Sequence, residues 1–205
     1  MAILENYEPK NVFHYFEEIC GIPHGSGNTK QISDYLVDFA KKHDLKYVQD
    51  DMNNVVIYKP ATPGYENAPT VILQGHMDMV CAKCPEIEHD FTKDGLKLVV
   101  KDGFLSAEGT TLGGDDGIAV AYGLALLDST DLPHPALEVV FTVDEETGLL
   151  GADGFDCSLL KGRRMINLDS EKEGCLWVSC AGGVAGNSYL PVRRVDASGR
   201  KVIVK

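Results

Sequence analysis

The stretch Val71-Ile72-Leu73-Gln74-Gly75-His76-Met77-Asp78 decides the fold that this sequence predicts. It begins as a short apolar run with β-branched residues, which is typical of a strand buried on both faces. The run leads directly into a histidine and an aspartate two residues apart. His76-x-Asp78 alone is a weak sign of a metal site, because a surface turn explains it equally well.

Two further predicted strands lead into side chains of the same kind. Residues 137–143 lead into Asp144-Glu145-Glu146, and residues 165–168 lead into Asp169. Apolar residues at helical spacing predict helices at residues 11–20, 32–43 and 117–128. Strands that alternate with helices predict an α/β layered fold, in which ligands bind outside the carboxyl ends of the strands. The three strands would therefore deliver these groups to one edge of one sheet.

A fourth acidic group, Asp115-Asp116, stands just before the third predicted helix. Each group alone has an ordinary explanation. Asp115-Asp116 would be a helix N-cap, residues 144–146 a solvated acidic turn, and Asp169 a cap or a turn residue. Together, however, these carboxylates would repel one another unless cations neutralised them. A histidine among several carboxylates suits zinc, and also manganese or cobalt.

Composition limits the partners and the compartment. The 205 residues carry a net charge of −12, which argues against nucleic acid because phosphate binding needs a basic surface. The N-terminus lacks the basic head and apolar run of a signal peptide, and the apolar stretch 118–127 is too short to span a membrane. The chain has six cysteines and no export signal, so it is predicted to be cytoplasmic with reduced thiols.

Three smaller features of the sequence are interpreted as structural and not as functional sites. Cys81-x-x-Cys84 is a weak zinc signal without a second pair, and ordinary reduced thiols are favoured over a redox role. The loop Gly25-Ser26-Gly27-Asn28 lacks the lysine of a phosphate-binding loop, so it is interpreted as a turn and helix start. Residues 176–179 are predicted to form a further buried strand, with Trp177 in the core.

Five stretches, in this order, resemble the aminoacyl-histidine dipeptidases, also called peptidase D or cytosol non-specific dipeptidase. These enzymes belong to the larger family of dinuclear zinc exopeptidases that includes carboxypeptidase G and carnosinase. The stretches are Ile22-Pro23-His24-Gly25-Ser26-Gly27-Asn28, Gln74-Gly75-His76-Met77-Asp78-Met79-Val80-Cys81, Gly109-Thr110-Thr111-Leu112-Gly113-Gly114-Asp115-Asp116-Gly117, Thr142-Val143-Asp144-Glu145-Glu146-Thr147-Gly148 and Asn167-Leu168-Asp169-Ser170-Glu171. They cover nearly the whole chain, and together they are highly specific.

The resemblance implies a role for each matching residue. The implied metal ligands are His76, Asp115 as the bridge between two metals, Glu146 and Asp169. Asp78 would orient His76, and Glu145 would act as the general base. Two Zn²⁺ ions are implied, with Co²⁺ or Mn²⁺ possible, and dipeptides would be hydrolysed by a hydroxide shared between the metals. Asp116 is instead interpreted as the cap of the following helix.

The resemblance also implies a three-layer catalytic domain with a central mixed sheet flanked by helices. Residues 1–182 would form the N-terminal portion of that domain, and residues 183–205 the beginning of an inserted lid domain whose remainder is absent. The family's second metal site uses a later histidine, so that site is expected to be incomplete here. The full-length enzyme is expected to be a homodimer that acts on small peptides, either Xaa-His or of broad specificity. The alternatives are a related aminotripeptidase or deacylase, and a catalytically inactive metal-binding fragment.

Overall fold

The computed structural model of the chain describes residues 3–170, 172–184, 186–193, 199 and 202. The chain divides into two compact units, residues 1–171 and residues 172–205. Every helix and strand named below lies in the first unit. The predicted domain boundary between residues 182 and 183 stays a prediction, and part of the predicted lid segment lies outside the described residues.

The first unit alternates helices and strands as the sequence predicts. Its helices are α1 (Lys10–Cys20), α2 (Lys30–Lys42), α3 (Gly114–Asp128) and the short α4 (Leu150–Asp153), followed by a 3-10 turn (Cys157–Leu159). Its strands are β1 (Lys46–Gln49), β2 (Val55–Lys59), β3 (Val71–His76), β4 (Leu98–Lys101), β5 (Phe104–Ala107), β6 (Leu137–Thr142) and β7 (Arg164–Asn167). None of the described helices is long and apolar enough to cross a membrane.

Five of the strands form one mixed sheet in the order β1-β2-β6-β3-β7. The pairs β1–β2 and β2–β6 are antiparallel, whereas β3 runs parallel to both β6 and β7. The register places His76 opposite Thr142, so β3 and β6 end at the same level. Strands β4 and β5 form a separate hairpin. The predicted α/β fold with a central mixed sheet flanked by helices is therefore confirmed.

The two faces of the sheet are covered differently. One face packs against α1, α2 and α3 in a continuous apolar core, to which the sheet contributes Ile57, Leu73 and Phe141. On the other face Val56, Ile72 and Val140 pack against residues that follow α4, including Phe155 and Leu160. Burying an aliphatic or aromatic side chain of this size stabilises the fold by roughly 1.5–3 kcal/mol. The double-sided burial explains why β3 and β6 are continuous apolar runs.

Two predictions of buried strands are wrong, one in its burial and the other in both its strand and its burial. Residues 165–168 were expected to form a buried strand, but β7 stands at the end of the sheet order, and Met165 and Ile166 are exposed. Residues 176–179, considered within their own unit, form no strand, and Trp177 is 66% exposed rather than part of a core. An apolar run therefore indicated correctly where β7 lies but not how deeply it is buried.

Candidate metal centre

Three neighbouring strands deliver polar side chains to one edge of the sheet. His76 is the last residue of β3 and is buried, while Glu145 and Glu146 follow the end of β6. Asp169 follows the end of β7. Asp115 enters from a different direction, in the distorted first turn of α3. Because β3, β6 and β7 run parallel, their carboxyl ends meet at this edge, as the sequence predicted.

Two glycines allow α3 to approach β3 so closely. A Cβ atom on Gly75 would lie 2.4 Å from the Cβ of Ala119 and 2.6 Å from Asp116 Oδ2, so no larger residue fits there. Gly113 precedes α3 with φ of +68°, a conformation that glycine adopts without strain. The helix start can therefore place Asp115 and Asp116 against the end of β3.

The ring of His76 contacts an oxygen at each nitrogen. Its Nδ1 lies 2.9 Å from the backbone oxygen of Asp78 and 3.3 Å from Oδ1 of the same residue. Its Nε2 lies 3.0 Å from Asp115 Oδ1 and 3.9 Å from Glu145 Oε2. Burial lowers the pKa of this imidazole, but the carboxylates of Asp78, Asp116 and Asp115 outweigh that effect and raise it to about 10. Without a metal, the ring is therefore an imidazolium that donates from both nitrogens.

Asp78 is a buried carboxylate that three parts of the chain hold in place. Its Oδ1 accepts the backbone N–H of Glu145 at 3.1 Å and faces the His76 ring, while its Oδ2 accepts the hydroxyl of Ser26 at 2.7 Å. Burial alone would raise the pKa of Asp78, but these hydrogen bonds lower it. Asp78 therefore stays ionised beside His76, which is what orientation of a metal-binding imidazole requires.

The interpretation of Asp116 as a helix cap is wrong. Its carboxylate is buried and its Oδ2 accepts the backbone N–H of His76 at 3.2 Å, so it ties the start of α3 to β3. Burial raises the pKa of Asp116 to about 7, and the nearby charge of Asp169 acts in the same direction while His76 opposes it. Sequence reasoning missed this contact because both strand and helix were predicted, but not the distance between them.

The convergent side chains fall into three overlapping groups whose ligand atoms lie within 4.8 Å of one another. The groups are His76-Glu145-Asp169, His76-Asp115-Glu146 and Asp115-Asp116-Asp169. One imidazole and five carboxylates match the nitrogen and oxygen donors that Zn²⁺ and Mn²⁺ accept. Carboxylates this close together repel one another and a bound cation would relieve that repulsion, so the residues present fit a metal centre.

The two glutamates both belong to these groups. Burial raises the pKa of Glu145, and the charges of Asp169, Asp78 and Asp115 add to that effect. Burial likewise raises the pKa of Glu146, and the negative charge of Asp115 is the second largest cause of that rise. Because each glutamate lies within reach of His76, the assignment of Glu145 as base and Glu146 as ligand stays a prediction.

Other candidate residues lie outside the centre. Among the described residues, the donor groups contain no histidine besides His76. The six cysteines are free thiols, and Cys81 and Cys84 are exposed and belong to none of these groups. The predicted roles of His76, Asp78, Asp115, Glu145, Glu146 and Asp169 stay predictions, although the structure brings all six together.

The sequence and the fold are similar to those of known peptidases. The chain is 40% identical to the cytosol non-specific dipeptidase of Escherichia coli over 194 residues, which are 95% of this chain and 40% of that protein. The crystal structure of aminoacylhistidine dipeptidase from Vibrio alginolyticus superposes with a TM-score of 0.81 at 41% identity, over 83% of this chain and 35% of that one. A tripeptidase from Staphylococcus aureus gives a TM-score of 0.66 at 27% identity, over 80% of this chain and 44% of that one. No protein-family model matches the chain.

In sequence and fold, the chain is similar to the catalytic domains of peptidases. Within that class it is a homologue of the aminoacyl-histidine dipeptidases, which confirms the resemblance carried by its motifs. The chain spans less than half the length of each of these relatives.

Proposed function

We propose that this chain carries the metal-binding and proton-transferring residues of a metal-dependent dipeptidase, with Zn²⁺ as the ion. The observation that carries the proposal is the convergence of one histidine and five carboxylates at the carboxyl edge of one sheet. The identity to a dipeptidase supports a small peptide as substrate. The proposed substrates are dipeptides, either of the Xaa-His type or more broadly.

The proposed roles are those that the resemblance to the dipeptidases implies. His76, Asp115 and Asp169 would hold one metal ion, and Asp115 and Glu146 would contribute to a second. When bound, the ions supply Lewis acidity toward the peptide carbonyl and lower the pKa of water. Asp78 would keep the His76 ring in place through its contacts to Nδ1.

Glu145 is proposed to accept the proton of the attacking water and to pass it to the leaving amine. Its backbone N–H is bound to Asp78 Oδ1, which fixes the start of its loop, and its side chain is 29% exposed and therefore reachable by substrate. Burial and neighbouring carboxylates raise its pKa, which suits a group that must both take and return a proton near neutral pH.

The proposal is tested by hydrolysis and metal binding in the same preparation. The whole protein is purified, stripped with EDTA, reloaded with Zn²⁺, Co²⁺ or Mn²⁺, and assayed for release of histidine from alanyl-histidine and β-alanyl-histidine. We expect metal-dependent turnover that His76→Ala abolishes. Metal binding by calorimetry without any turnover would instead favour the metal-binding alternative. Absence of metal binding would contradict the proposal.

A tripeptidase is the second candidate, because a tripeptidase structure shares the fold at 27% identity. Trialanine and an N-acetylated amino acid, assayed beside the dipeptides, separate the peptidase and deacylase alternatives. The higher identity and TM-score of the dipeptidase relatives favour dipeptides.

We also propose that the whole protein is a cytoplasmic homodimer. The relative from Escherichia coli carries "cytosol" in its name, which supports the compartment. Dimerisation is checked by analytical ultracentrifugation, and a single sedimenting species of monomer mass across the working concentration range would contradict it.

A further inference from the structure

The loop Gly25-Ser26-Gly27, between α1 and α2, lies directly against the proposed metal centre. It forms a bridge with the segment after β3, in which Gly25 pairs with Met79 in parallel. The backbone N–H of Ser26 donates to the oxygen of Met79, and the N–H of Met79 donates to the oxygen of His24, both at 3.2 Å. The loop therefore extends the sheet edge beside the residues that follow His76.

From this position the loop binds two acidic side chains that follow different strands. The Ser26 hydroxyl donates to Asp78 Oδ2 at 2.7 Å, beyond the end of β3. The backbone N–H of Gly27 donates to Asp144 Oδ1 at 2.6 Å, beyond the end of β6. Gly27 has φ of +77°, a conformation that glycine adopts without strain. Asp78 and Asp144 each adjoin a proposed site residue: Asp78 contacts the His76 ring, and Asp144 precedes Glu145.

We propose that Ser26 and the Gly27 N–H are positioning groups for the metal centre, because they bind the carboxylates of Asp78 and Asp144 and thereby join the ends of β3 and β6. Ser26 acts through Asp78, which contacts His76 at Nδ1 and receives the Glu145 N–H at Oδ1. The inference rests on the proposed function for its consequence in metal binding, but its structural part is testable without metal.

Attachment of the loop to the sheet edge does not by itself explain these contacts. A loop that merely needed attachment could bind any backbone group of the sheet edge, as it does through Met79. Instead, the loop satisfies one oxygen of a buried carboxylate whose other oxygen holds the Glu145 N–H. Removing the hydroxyl leaves Asp78 Oδ2 without this donor in a buried place, where an unsatisfied charged acceptor is costly. The carboxylate would then turn toward other donors and release the Glu145 N–H.

The first experiment measures amide hydrogen exchange by NMR in EDTA for the wild-type chain, Ser26→Ala and Ser26→Thr. We expect the Glu145 amide of Ser26→Ala to exchange about fivefold faster or more, after normalisation to the Val140 amide in β6. Ser26→Thr keeps the hydroxyl and should stay within about twofold of wild type. The matched control is Ser33→Ala, a buried serine that bonds Asn53 and Gln49 instead. Unchanged Glu145 exchange in Ser26→Ala would overturn the inference.

The second experiment measures Zn²⁺ affinity by chelator competition and the visible spectrum of the Co²⁺ form. Removing a direct partner of a ligand typically costs 10–100-fold in affinity, so we expect about 3–10-fold for Ser26→Ala, one contact further away. Its Co²⁺ spectrum should also shift, while Ser26→Thr and Ser33→Ala match wild type. Equal affinity and identical spectra would overturn the inference. If the wild-type chain binds no Zn²⁺, the proposed function fails, and the exchange measurement alone decides the inference.

Discussion

His76 Nε2 lies 3.0 Å from Asp115 Oδ1 and carries a proton in the metal-free molecule, because the surrounding carboxylates raise the pKa of the ring to about 10. A histidine that binds a metal must first lose the proton from the coordinating nitrogen. The proton on Nε2 thus occupies the place where a cation would bind between the same two residues. Metal binding at this point is therefore expected to release a proton.

His76 supplies the one imidazole in the donor groups of the described residues, so we predict one tight metal site and one weaker site. Within the described residues, each donor group contains either His76 or carboxylates alone. Zinc prefers a set that includes nitrogen, so the site with His76 should bind at least about tenfold more tightly. Isothermal titration calorimetry of the stripped chain checks this, and His76→Ala should remove the tight phase. Two tight sites of equal affinity would mean that another residue supplies a nitrogen or sulfur ligand.

The two adjacent glutamates are predicted to respond differently to the same substitution. In the whole protein, Glu145→Gln should keep Zn²⁺ binding and lower turnover by about 10²–10⁴-fold, because a general base is removed while the ligands stay. Glu146→Gln should weaken metal binding first. Calorimetry and dipeptide hydrolysis on both variants check this, with Glu108→Gln, an exposed glutamate, as the control. The reverse pattern would show that the two roles are exchanged.

The contribution of Asp116 to metal-free stability should become less favourable as the pH rises from about 4 to about 7. Burial raises the pKa of Asp116 from its ordinary 3.8 to about 7, so its ionised form is disfavoured in the folded state. The raised pKa of Asp116 has no effect on stability below pH 3.8 and reduces stability progressively as the pH rises from there to about 7. The raised pKa values of Glu145 and Glu146 act in the same direction. The stabilising contribution of His76 is fully present below its ordinary pKa of 6.5 and is lost progressively as the pH rises from there to about 10, whereas the lowered pKa of the buried His24 favours the higher pH.

Urea denaturation in EDTA at pH 5 and pH 7.5 checks this dependence. Asp116→Asn should reduce the difference between the two pH values, whereas Asp38→Asn, on the exposed surface of α2, should leave it unchanged. The same difference between the two pH values in Asp116→Asn and in the wild-type chain would contradict the prediction. Added Zn²⁺ should favour the higher pH, because the ligands bind metal only when deprotonated.

Asn54 is predicted to stabilise the loop that carries both glutamates. Its buried amide accepts the N–H of Val143 at 3.0 Å and donates to the oxygen of Gly151 at 3.0 Å, at the two ends of that loop. Asn54→Ala leaves both backbone groups without these partners and should lower the free energy of unfolding by about 2–4 kcal/mol. Asn11→Ala, an exposed position in α1, should change it by less than about 0.5 kcal/mol. Urea denaturation in EDTA measures both, and equal effects would refute a special role for Asn54.

The sequence by itself determined the fold class and the location of the centre. The apolar run of β3 ends at His76 and that of β6 leads into the segment that carries Glu145, and the parallel order of such strands brings their ends to one edge. These are local patterns, and local patterns are what periodicity and turn residues report. The helix α3 and the acidic pair at its start were predicted for the same reason.

Only the tertiary structure decided which distant groups meet at that edge. The contact of Ser26 with Asp78 joins residues 52 positions apart, and that of Gly27 with Asp144 joins residues 117 positions apart. Asp116 looked like a helix cap because its neighbours in sequence form a helix, whereas the close approach at Gly75 turned it toward β3. Such contacts depend on how closely packed elements approach in three dimensions, and no spacing along the chain encodes that distance.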